Sequence, residues 1–349
     1  MKVLLAVSGG VDSMYMLHRA PELFPGASFA AAHCNFALRG EESDGDEAFV
    51  REVCSGLGVE CYVKRFDTLG YAGEHGVSVE MAARELRYDW FGELIAEYGF
   101  DALATAHNAN DNAETLILNL LRGSGTKGLR GIPGEPAAGF LPETSASLHP
   151  SHCASLAGPS RSRSHGRLRF PKGTPQHPPL IIRPLLGVGR EEIKKWMQQR
   201  GLGWREDSTN ALNDARRNII RNEVFPIFGR INPSFVRTLG EDMERIRQTD
   251  DIADEYFREA ARNIVKEKGD ALEISVSPLL ELKHWRYVLW RILEDCSFSA
   301  PTFGKLCELL ERYRTEPLGT VTLSGKTFQS PSFVLRARRK TLVLLPRQL

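Results

Sequence analysis

The segment of this chain best suited to chemistry is Ser-Gly-Gly-Val-Asp-Ser at residues 8–13. It follows a short apolar run, which is typical of a buried strand, and it precedes a predicted helix. The two glycines allow a tight turn, and the free N–H groups at a helix start favour phosphate binding. We predict that Ser8 and Ser13 donate to phosphate oxygens while Asp12 binds Mg²⁺. The alternative is a plain strand–helix turn in which glycine serves geometry and serine caps the helix.

Two carboxylates, Asp111 and Glu114, form a second candidate site. They lie in the polar segment 107–115, which follows a predicted strand and opens a predicted helix. Because they are three residues apart, they share one face of that helix, at the sheet edge where ligands bind in α/β folds. There they can hold Mg²⁺ or position an amine nucleophile. The alternative is that they only complement the positive end of the helix dipole.

Basic residues supply further candidates. Arg217 and Arg221 lie on one predicted helix, and that stretch alone is more typical of a solvated charged face than of a phosphate site. The glycine-rich segment 123–128 matches G-x-G-x-x-G by letter, but it follows a helix instead of a strand, which excludes the dinucleotide-binding mechanism of that motif. We expect a flexible loop there, with Arg122 and Lys127 available to phosphate or RNA.

These candidates depend on a fold that brings the ends of several strands together. The first half of the chain alternates apolar runs with helical patterns, which predicts an α/β fold with a doubly wound parallel sheet. The predicted strands cover residues 3–7, 28–33, 59–65 and 102–106, and the predicted helices cover residues 11–19, 44–57, 79–98 and 111–121. A second, smaller α+β domain is predicted to follow, so that residues 1–230 form the first domain and residues 231–349 the second.

Residues 136–179 interrupt this alternation. They contain eight of the nineteen prolines of the chain and a single acid, Glu143. Because so proline-rich and serine-rich a segment cannot form a core, we predict a disordered insertion. An alternative role for its five basic residues is contact with an RNA backbone.

The overall composition excludes several classes of protein. The 45 Lys and Arg against 44 Asp and Glu give a net charge of +1, which excludes a wholly basic DNA-coating protein but allows a local basic face. All apolar runs are shorter than the roughly 18 residues that span a bilayer, and we find no signal-peptide pattern, so we expect a cytoplasmic protein. The six cysteines include no C-x-x-C pair, which argues against zinc ribbons, common iron–sulfur sites and thioredoxin-like motifs.

Five segments together resemble the tRNA(Ile)-lysidine synthetase family, which belongs to the N-type ATP pyrophosphatases with a PP-loop. They occur in the family's order and cover residues 1–230 apart from the insertion. The segments are SGGVDS, HCNFALRGEESDGDEAFVREV, SVEMAARELRYDWF, AHNANDNAETLILNLLRGSGTKGLRGI and the stretch from RPLLGVGREEIKKW to RRNIIRNEVFP. The C-terminal part resembles the family's first C-terminal domain, and we expect the chain to lack the second one that long members use on tRNA.

The resemblance implies a specific reaction. ATP adenylates the C2 carbonyl oxygen of the wobble cytidine in a tRNA(Ile) with a CAU anticodon, and the ε-amine of L-lysine then displaces AMP to give lysidine. The resemblance also implies ATP and Mg²⁺ as cofactors and a tRNA-binding second domain. It implies no membrane partner and leaves a homodimer open.

The positions that match the family's motifs give the implied site residues. The implied catalytic residues are Asp12, Asp111, Glu114 and Arg217. The implied ATP-binding residues are Ser8, Gly9, Gly10, Val11, Asp12, Ser13, Arg122 and Gly123, with Mg²⁺ on Asp12. The implied tRNA-binding residues are Arg217, Asn218 and Arg221.

Several positions depart from the family pattern. Asn108 and Asn110 stand in a motif that usually reads His-His-x-Asp-Asp-Gln, and Phe36 stands where histidine is common. The amide at Asn110 weakens a metal role at that position. The alternatives kept open are another PP-loop enzyme, such as a tRNA thiolase or an amidating synthetase, and a tRNA-binding module without catalysis. The lack of a C-x-x-C pair disfavours a thiolase, and no segment suggests the glutaminase of an amidating enzyme.

Overall fold

The computed structural model describes residues 1–134, 180–206, 215–317 and 320–347. The predicted insertion at residues 136–179 lies outside the described residues. Contacts divide the described chain into two compact units, with the division between Gln248 and Thr249. The domain boundary predicted after residue 230 stays a prediction. None of the described helices is long and apolar enough to cross a membrane.

The first unit is built on a five-stranded parallel sheet in the order β3-β2-β1-β4-β5. The strands are β1 Lys2–Ala6, β2 Ser28–Asn35, β3 Cys61–Arg65, β4 Ala102–Ala104 and β5 Leu180–Ile182. In register, Val3 of β1 lies opposite Phe29 of β2 and Ala102 of β4. Because the strand order reverses direction at β1, the carboxyl ends of β1 and β4 flank a topological switch point, where ligands bind in such folds. The predicted doubly wound parallel sheet is confirmed.

Helices pack on both faces of this sheet. The helices of this unit up to residue 199 are α1 Val11–Leu23, α2 Glu41–Gly56, α3 Thr68–His75, α4 Val79–Tyr98, α5 Ala109–Leu121, α6 Thr126–Leu129 and α7 Arg190–Gln199. Helix α3 was not predicted from the sequence; its N-cap Asp67 accepts a hydrogen bond from Gly70 N at 2.9 Å. After residue 214 come α8 Ala215–Ile219, a π-helical turn Ile220–Val224, α9 Phe225–Ile231 and the long α10 Phe235–Ile264.

The central strand β1 separates the core of the first unit into two halves. Val3 and Leu5 face one half, which contains residues of α1 and α7, while Leu4 faces the other half, which contains residues of α4. Successive side chains of a strand point to opposite faces, so a strand covered on both sides is a continuous apolar run. This packing sets the positions of the segments that follow β1 and β4 at the carboxyl edge of the sheet.

The second unit is a five-stranded antiparallel sheet with helices, in the order β6-β7-β10-β9-β8. Its strands are β6 Val265–Lys268, β7 Ala271–Ser275, β8 Thr327–Gln329, β9 Phe333–Ala337 and β10 Thr341–Pro346, and the helices after α10 are α11 Val276–Glu281, α12 Trp285–Leu293 and α13 Ala300–Thr315. The predicted α+β class is confirmed. The helical pattern of residues 279–296 predicts one helix, but that helix is interrupted where Leu282 adopts an extended backbone, with ψ of 138°. The β-like pattern of residues 320–323 predicts a short strand, but none forms there, in a part of the chain that the structure describes.

Gly131 marks a close contact between the segment after α6 and its surroundings in the first unit. Its φ of +74° lies in the left-handed region that favours glycine. A Cβ atom at this position would overlap Asn112 Oδ1 and Met243 Sδ. The same Asn112 oxygen accepts a hydrogen bond from Ile132 N at 2.6 Å, so it cannot withdraw without losing that bond.

We expect Gly131→Ala to destabilise the protein more than Gly26→Ala. Gly26 has nearly the same φ, +73°, but no described atom lies within 4 Å of an added Cβ. Both substitutions carry left-handed strain of about 1–2 kcal/mol, and overpacking adds roughly 1–3 kcal/mol at Gly131 alone. Urea denaturation of the two variants measures the difference in the free energy of unfolding. Equal losses of unfolding free energy in the two variants would show that Asn112 and Met243 move away from an added Cβ at no energetic cost.

Candidate active site

Residues 8–13, called here the phosphate loop, connect β1 to α1. Gly9 has a φ of +94°, again in the left-handed region. Ser8 N donates to Ser13 Oγ at 3.1 Å, and Ser13 Oγ donates to Gly10 O at 2.9 Å, so the Ser13 hydroxyl shapes the loop. α1 begins at Val11 with no side-chain cap, which leaves its first N–H groups to a ligand such as phosphate.

Three charged residues, Arg39, Asp46 and Arg205, hold the phosphate loop, and we call them the clasp. Arg205 N donates to Gly9 O at 2.9 Å, and Arg205 Nε donates to Asp46 Oδ1 at 2.9 Å. Arg39 Nη2 donates to the other Asp46 oxygen at 2.8 Å. The Asp46 side chain is only 10% exposed, which strengthens both charge-assisted bonds. Sequence reasoning missed this role, because nothing in the spacing of these residues indicates that they meet.

Asn108 connects the phosphate loop to α5. Its Nδ2 donates to Asp12 Oδ1 at 2.9 Å, and its Oδ1 accepts from Asn110 N and Asp111 N at 2.9 and 3.0 Å. Asp111 Oδ2 accepts in return from Asn108 N at 3.1 Å, which completes a capping box. Asn108 is fully buried. One amide therefore caps α5 and holds the carboxylate of Asp12.

The acidic pair of α5 is joined to Arg221. Arg221 Nε donates to Glu114 Oε1 at 2.8 Å, and its Nη2 lies 3.6 Å from Asp111 Oδ1. Arg221 lies in the π-helical turn, and such turns are frequent at functional sites. Glu114 is completely buried, and its Oε2 has no hydrogen-bond partner among the described residues. Burial raises the pKa of Glu114, and Arg221 limits that rise.

A cavity of about 270 Å³ opens beside the phosphate loop at the carboxyl edge of the sheet. Burial raises the pKa of Asp12, which lines the cavity, and raises the pKa of the Cys34 thiol in its wall to about 12. Phe36, another wall residue, stacks on Phe66 at a centroid distance of 5.6 Å, and Arg87 lies 5.1 Å from the Phe36 ring centroid. The wall combines apolar surface with a few polar groups, as small-molecule sites do.

The structure brings most of the predicted site residues together and leaves two apart. The cavity is lined in part by Ser8, Gly10, Asp12, Ser13 and Asp111, and the same loop contains Gly9 and Val11. Glu114 and Arg221 form an ion pair next to Asp111. The positive charge of Arg217 lowers the pKa of Glu114. Asn218 lies in α8. Arg122 and Gly123 come after the C-terminal end of α5, a helix of 13 residues, and are therefore about 20 Å from its N-terminal end.

His107 faces the cavity from the loop after β4. Its Nδ1 lies 3.0 Å from Thr105 Oγ1. Burial lowers the pKa of His107 to about 4, an effect that Asp111 opposes and that the charges of Arg183 and Arg217 reinforce. His107 is therefore a neutral ring at physiological pH, and it serves this site as a hydrogen-bonding group without charge.

Two families of known proteins match this chain. A family described as the PP-loop domain matches residues 1–228, and a family described as the TilS substrate binding domain matches residues 267–347. The tRNA(Ile)-lysidine synthases of Parabacteroides distasonis, Porphyromonas gingivalis and Bacteroides thetaiotaomicron are 37%, 33% and 35% identical to this chain over 85%, 99% and 98% of its length. The chain spans 57%, 63% and 67% of the lengths of these relatives.

A solved structure with a similar fold is that of the U34-tRNA thiolase NcsA from Methanococcus maripaludis. The TM-score is 0.50 at 19% identity, over 70% of this chain and 72% of that one, so the likeness concerns the fold alone. That structure contains a [4Fe-4S] cluster. Within the described part of the present chain, no group of three or more His, Cys, Asp or Glu is arranged to hold a metal ion.

We expect Asn108→Ala to weaken both the protein and its binding of ATP, and Asn108→Asp to weaken mainly the binding. Alanine removes the helix cap, at about 1 kcal/mol, and removes the amide donor to Asp12. Aspartate caps helices as well as asparagine but places a second carboxylate against Asp12. Urea denaturation gives the stability, and titration calorimetry with MgATP gives the affinity. Wild-type affinity in both variants would exclude a functional link through Asn108.

We expect His107 to make the protein less stable as the pH falls. Its folded pKa of about 4 lies below the ordinary 6.5, so between these values the unfolded chain binds a proton that the folded protein does not. The stability present above that window is lost as the pH falls through it. Between about pH 7 and pH 5, the free energy of unfolding should therefore fall more steeply for the wild type than for His107→Asn. If the free energy of unfolding, measured by urea denaturation at each pH, fell equally steeply for the two proteins, that result would contradict a buried neutral ring.

Proposed function

The chain belongs to the tRNA(Ile)-lysidine synthase family, and from this premise we propose that it uses ATP to join L-lysine to the wobble cytidine of a tRNA(Ile) with a CAU anticodon. The observation that carries the proposal is the meeting of the phosphate loop with the acidic pair of α5 and Arg221 at one sheet edge. Such a group suits activation of a carbonyl oxygen by ATP followed by attack of an amine.

In the first proposed step, the O2 atom of the cytidine attacks the α-phosphorus of ATP. The bond between that phosphorus and the oxygen that bridges to the β-phosphorus breaks, and pyrophosphate leaves with the electron pair. The uncapped N–H groups of the phosphate loop bind the phosphate oxygens in this scheme. The clasp supports the step by holding Gly9 in its left-handed conformation through the bond to Arg205 N.

Asp12 and Asp111 suit the Mg²⁺ that accompanies ATP. Magnesium prefers oxygen ligands and is commonly held by one or two carboxylates together with substrate phosphates and water. The tie through Asn108 brings both carboxylates to one edge of the sheet. When bound, the ion neutralises charge on the phosphates. Arg122 and Gly123 lie beyond the other end of α5, and their contact with ATP stays a prediction.

In the second proposed step, the ε-amine of lysine attacks C2 of the adenylated cytidine, and the C2–O bond breaks to release AMP. The amine must first lose a proton, because the ordinary pKa of its ammonium form is about 10.4. We assign the proton acceptor to Glu114, whose Oε2 has no partner among the described residues and whose pKa is raised by burial. Arg221 orients this carboxylate through Oε1, and Arg217 adds positive charge nearby.

The second unit binds tRNA in this scheme, consistent with the description of the family that matches residues 267–347. We propose that Arg217, Asn218 and Arg221 contact the tRNA. A cytoplasmic location follows from the nature of the substrate, and a homodimer stays a prediction. The names of the relatives do not favour a thiolase, an amidating synthetase or a non-catalytic module.

The test is incorporation of labelled lysine into an unmodified tRNA(Ile) transcript with a CAU anticodon. We expect ATP-dependent labelling by the wild type and a loss of roughly 10²-fold or more with Glu114→Gln, since a positioned proton acceptor contributes about 10²–10⁴-fold. A tRNA(Met) transcript, which carries the same anticodon, is the control and should stay unlabelled. Release of pyrophosphate without labelling of the tRNA would indicate a different acceptor and would overturn the proposal.

A further inference from the structure

Two arginines beside the cavity have no role in the reaction described above. Arg183 directly follows β5, and Arg84 lies in the middle of α4. Both lie in segments that carry the family resemblance. Among the described residues, neither guanidinium has a carboxylate within 4.0 Å, in contrast to the other arginines that form the clasp or pair with Glu114.

The strand register places Arg183 next to a residue of the cavity wall. Ile182 pairs with Ala104 in the parallel sheet, and Thr105 N donates to Ile182 O at 3.0 Å, so Arg183 emerges next to Thr105, which lines the cavity. Its Nη1 donates to Pro133 O at 2.7 Å. Its Nε is buried without a partner among the described residues. One bond to a carbonyl thus anchors a half-buried cation whose Nε has no partner in the part of the chain that the structure describes.

Arg84 approaches the same place from α4. Its guanidinium carbon lies 5.2 Å from the ring centroid of Tyr88, one helical turn further on, and Tyr88 lines the cavity. Burial lowers the pKa of Arg183, and the positive charge of Arg84 lowers it further. Both charges also act on His107.

Two like charges held beside each other, one of them half-buried, are unfavourable unless an anion joins them. A carboxylate in the fold would serve, but the described residues provide none within ion-pair distance. Guanidinium groups match phosphate geometry and bind it through paired N–H donors. The anion that completes this pair therefore comes from outside the described fold.

We propose that Arg84 and Arg183 bind a backbone phosphodiester of the RNA substrate next to the nucleotide that reacts. The inference rests on the proposed function, since it takes tRNA as the substrate. We favour the RNA backbone over the phosphates of ATP because the phosphate loop, at the end of β1, already provides a cradle for ATP. Arg84 is exposed, so it can meet a large ligand that does not enter the cavity.

The test is the salt dependence of tRNA binding by Arg84→Gln and Arg183→Gln. Each lost phosphate contact should reduce the slope of log K against log salt concentration by about 0.7–0.9, and the affinity at low salt should fall roughly tenfold. Filter binding of the tRNA(Ile) transcript over about 50–200 mM salt gives both quantities. Arg84→Lys and Arg183→Lys keep the charge and should keep the wild-type slope.

Arg200→Gln is the matched control. Arg200 is also exposed and also stacks on an aromatic ring, 4.1 Å from the centroid of Trp196, but it lies at the C-terminal end of α7. The other end of that helix meets the site, where Arg190 N donates to Asn110 Oδ1. We expect this variant to keep the wild-type slope and affinity.

The possible failures can be told apart. An unchanged slope in both glutamine variants, with normal lysine incorporation by the wild type, would overturn this inference alone. Loss of ATP affinity in the absence of tRNA, measured by calorimetry, would assign the two arginines to the nucleotide and overturn it as well. A wild type that does not modify the tRNA(Ile) transcript at all would overturn the proposed function.

Discussion

The site depends on the side chain of Asn108, a fully buried amide. Its two ends meet different elements: the oxygen caps α5, and the nitrogen donates to Asp12 in the phosphate loop. Because β1 and β4 are neighbours in a parallel sheet, the two segments that follow them emerge side by side, and one short side chain can join them. The phosphate loop and the acidic pair are therefore positioned together and not as two independent sites.

Charge is concentrated at this sheet edge and is balanced only in part. The clasp pairs one carboxylate with two arginines, whereas Arg221 pairs with two carboxylates. Glu114 keeps one oxygen without a partner in the described structure, and Asp12 has its pKa raised by burial. Unsatisfied buried groups of this kind cost stability and are found where a ligand completes the arrangement. These incompletely paired charges indicate the candidate site more specifically than the shape of the cavity does.

Local signals predicted much of the fold and the site. The phosphate loop and the start of α5 were predicted because glycines, caps and strand–helix alternation act over a few residues. The clasp was not predicted, because Asp46 and Arg205 are 159 positions apart and only the folded sheet brings them together. The nucleotide contact expected for Arg122 from its neighbourhood in sequence stays a prediction, since α5 separates Arg122 from the phosphate loop. The short helix α3 has eight residues between the N-cap Asp67 and the C-cap Gly76, and so short a segment is a weak signal in sequence.

The buried thiol in the cavity wall bears on the selectivity of the proposed reaction. An adenylated cytidine is an electrophile, and a thiolate beside it would compete with the amine of lysine. Only the thiolate form of cysteine is a strong nucleophile. With a pKa of about 12, Cys34 is ionised in only about one molecule in 10⁵ at neutral pH. In the proposed reaction, the burial that raises the pKa of this thiol therefore also removes a competing nucleophile and leaves the adenylated cytidine to the amine.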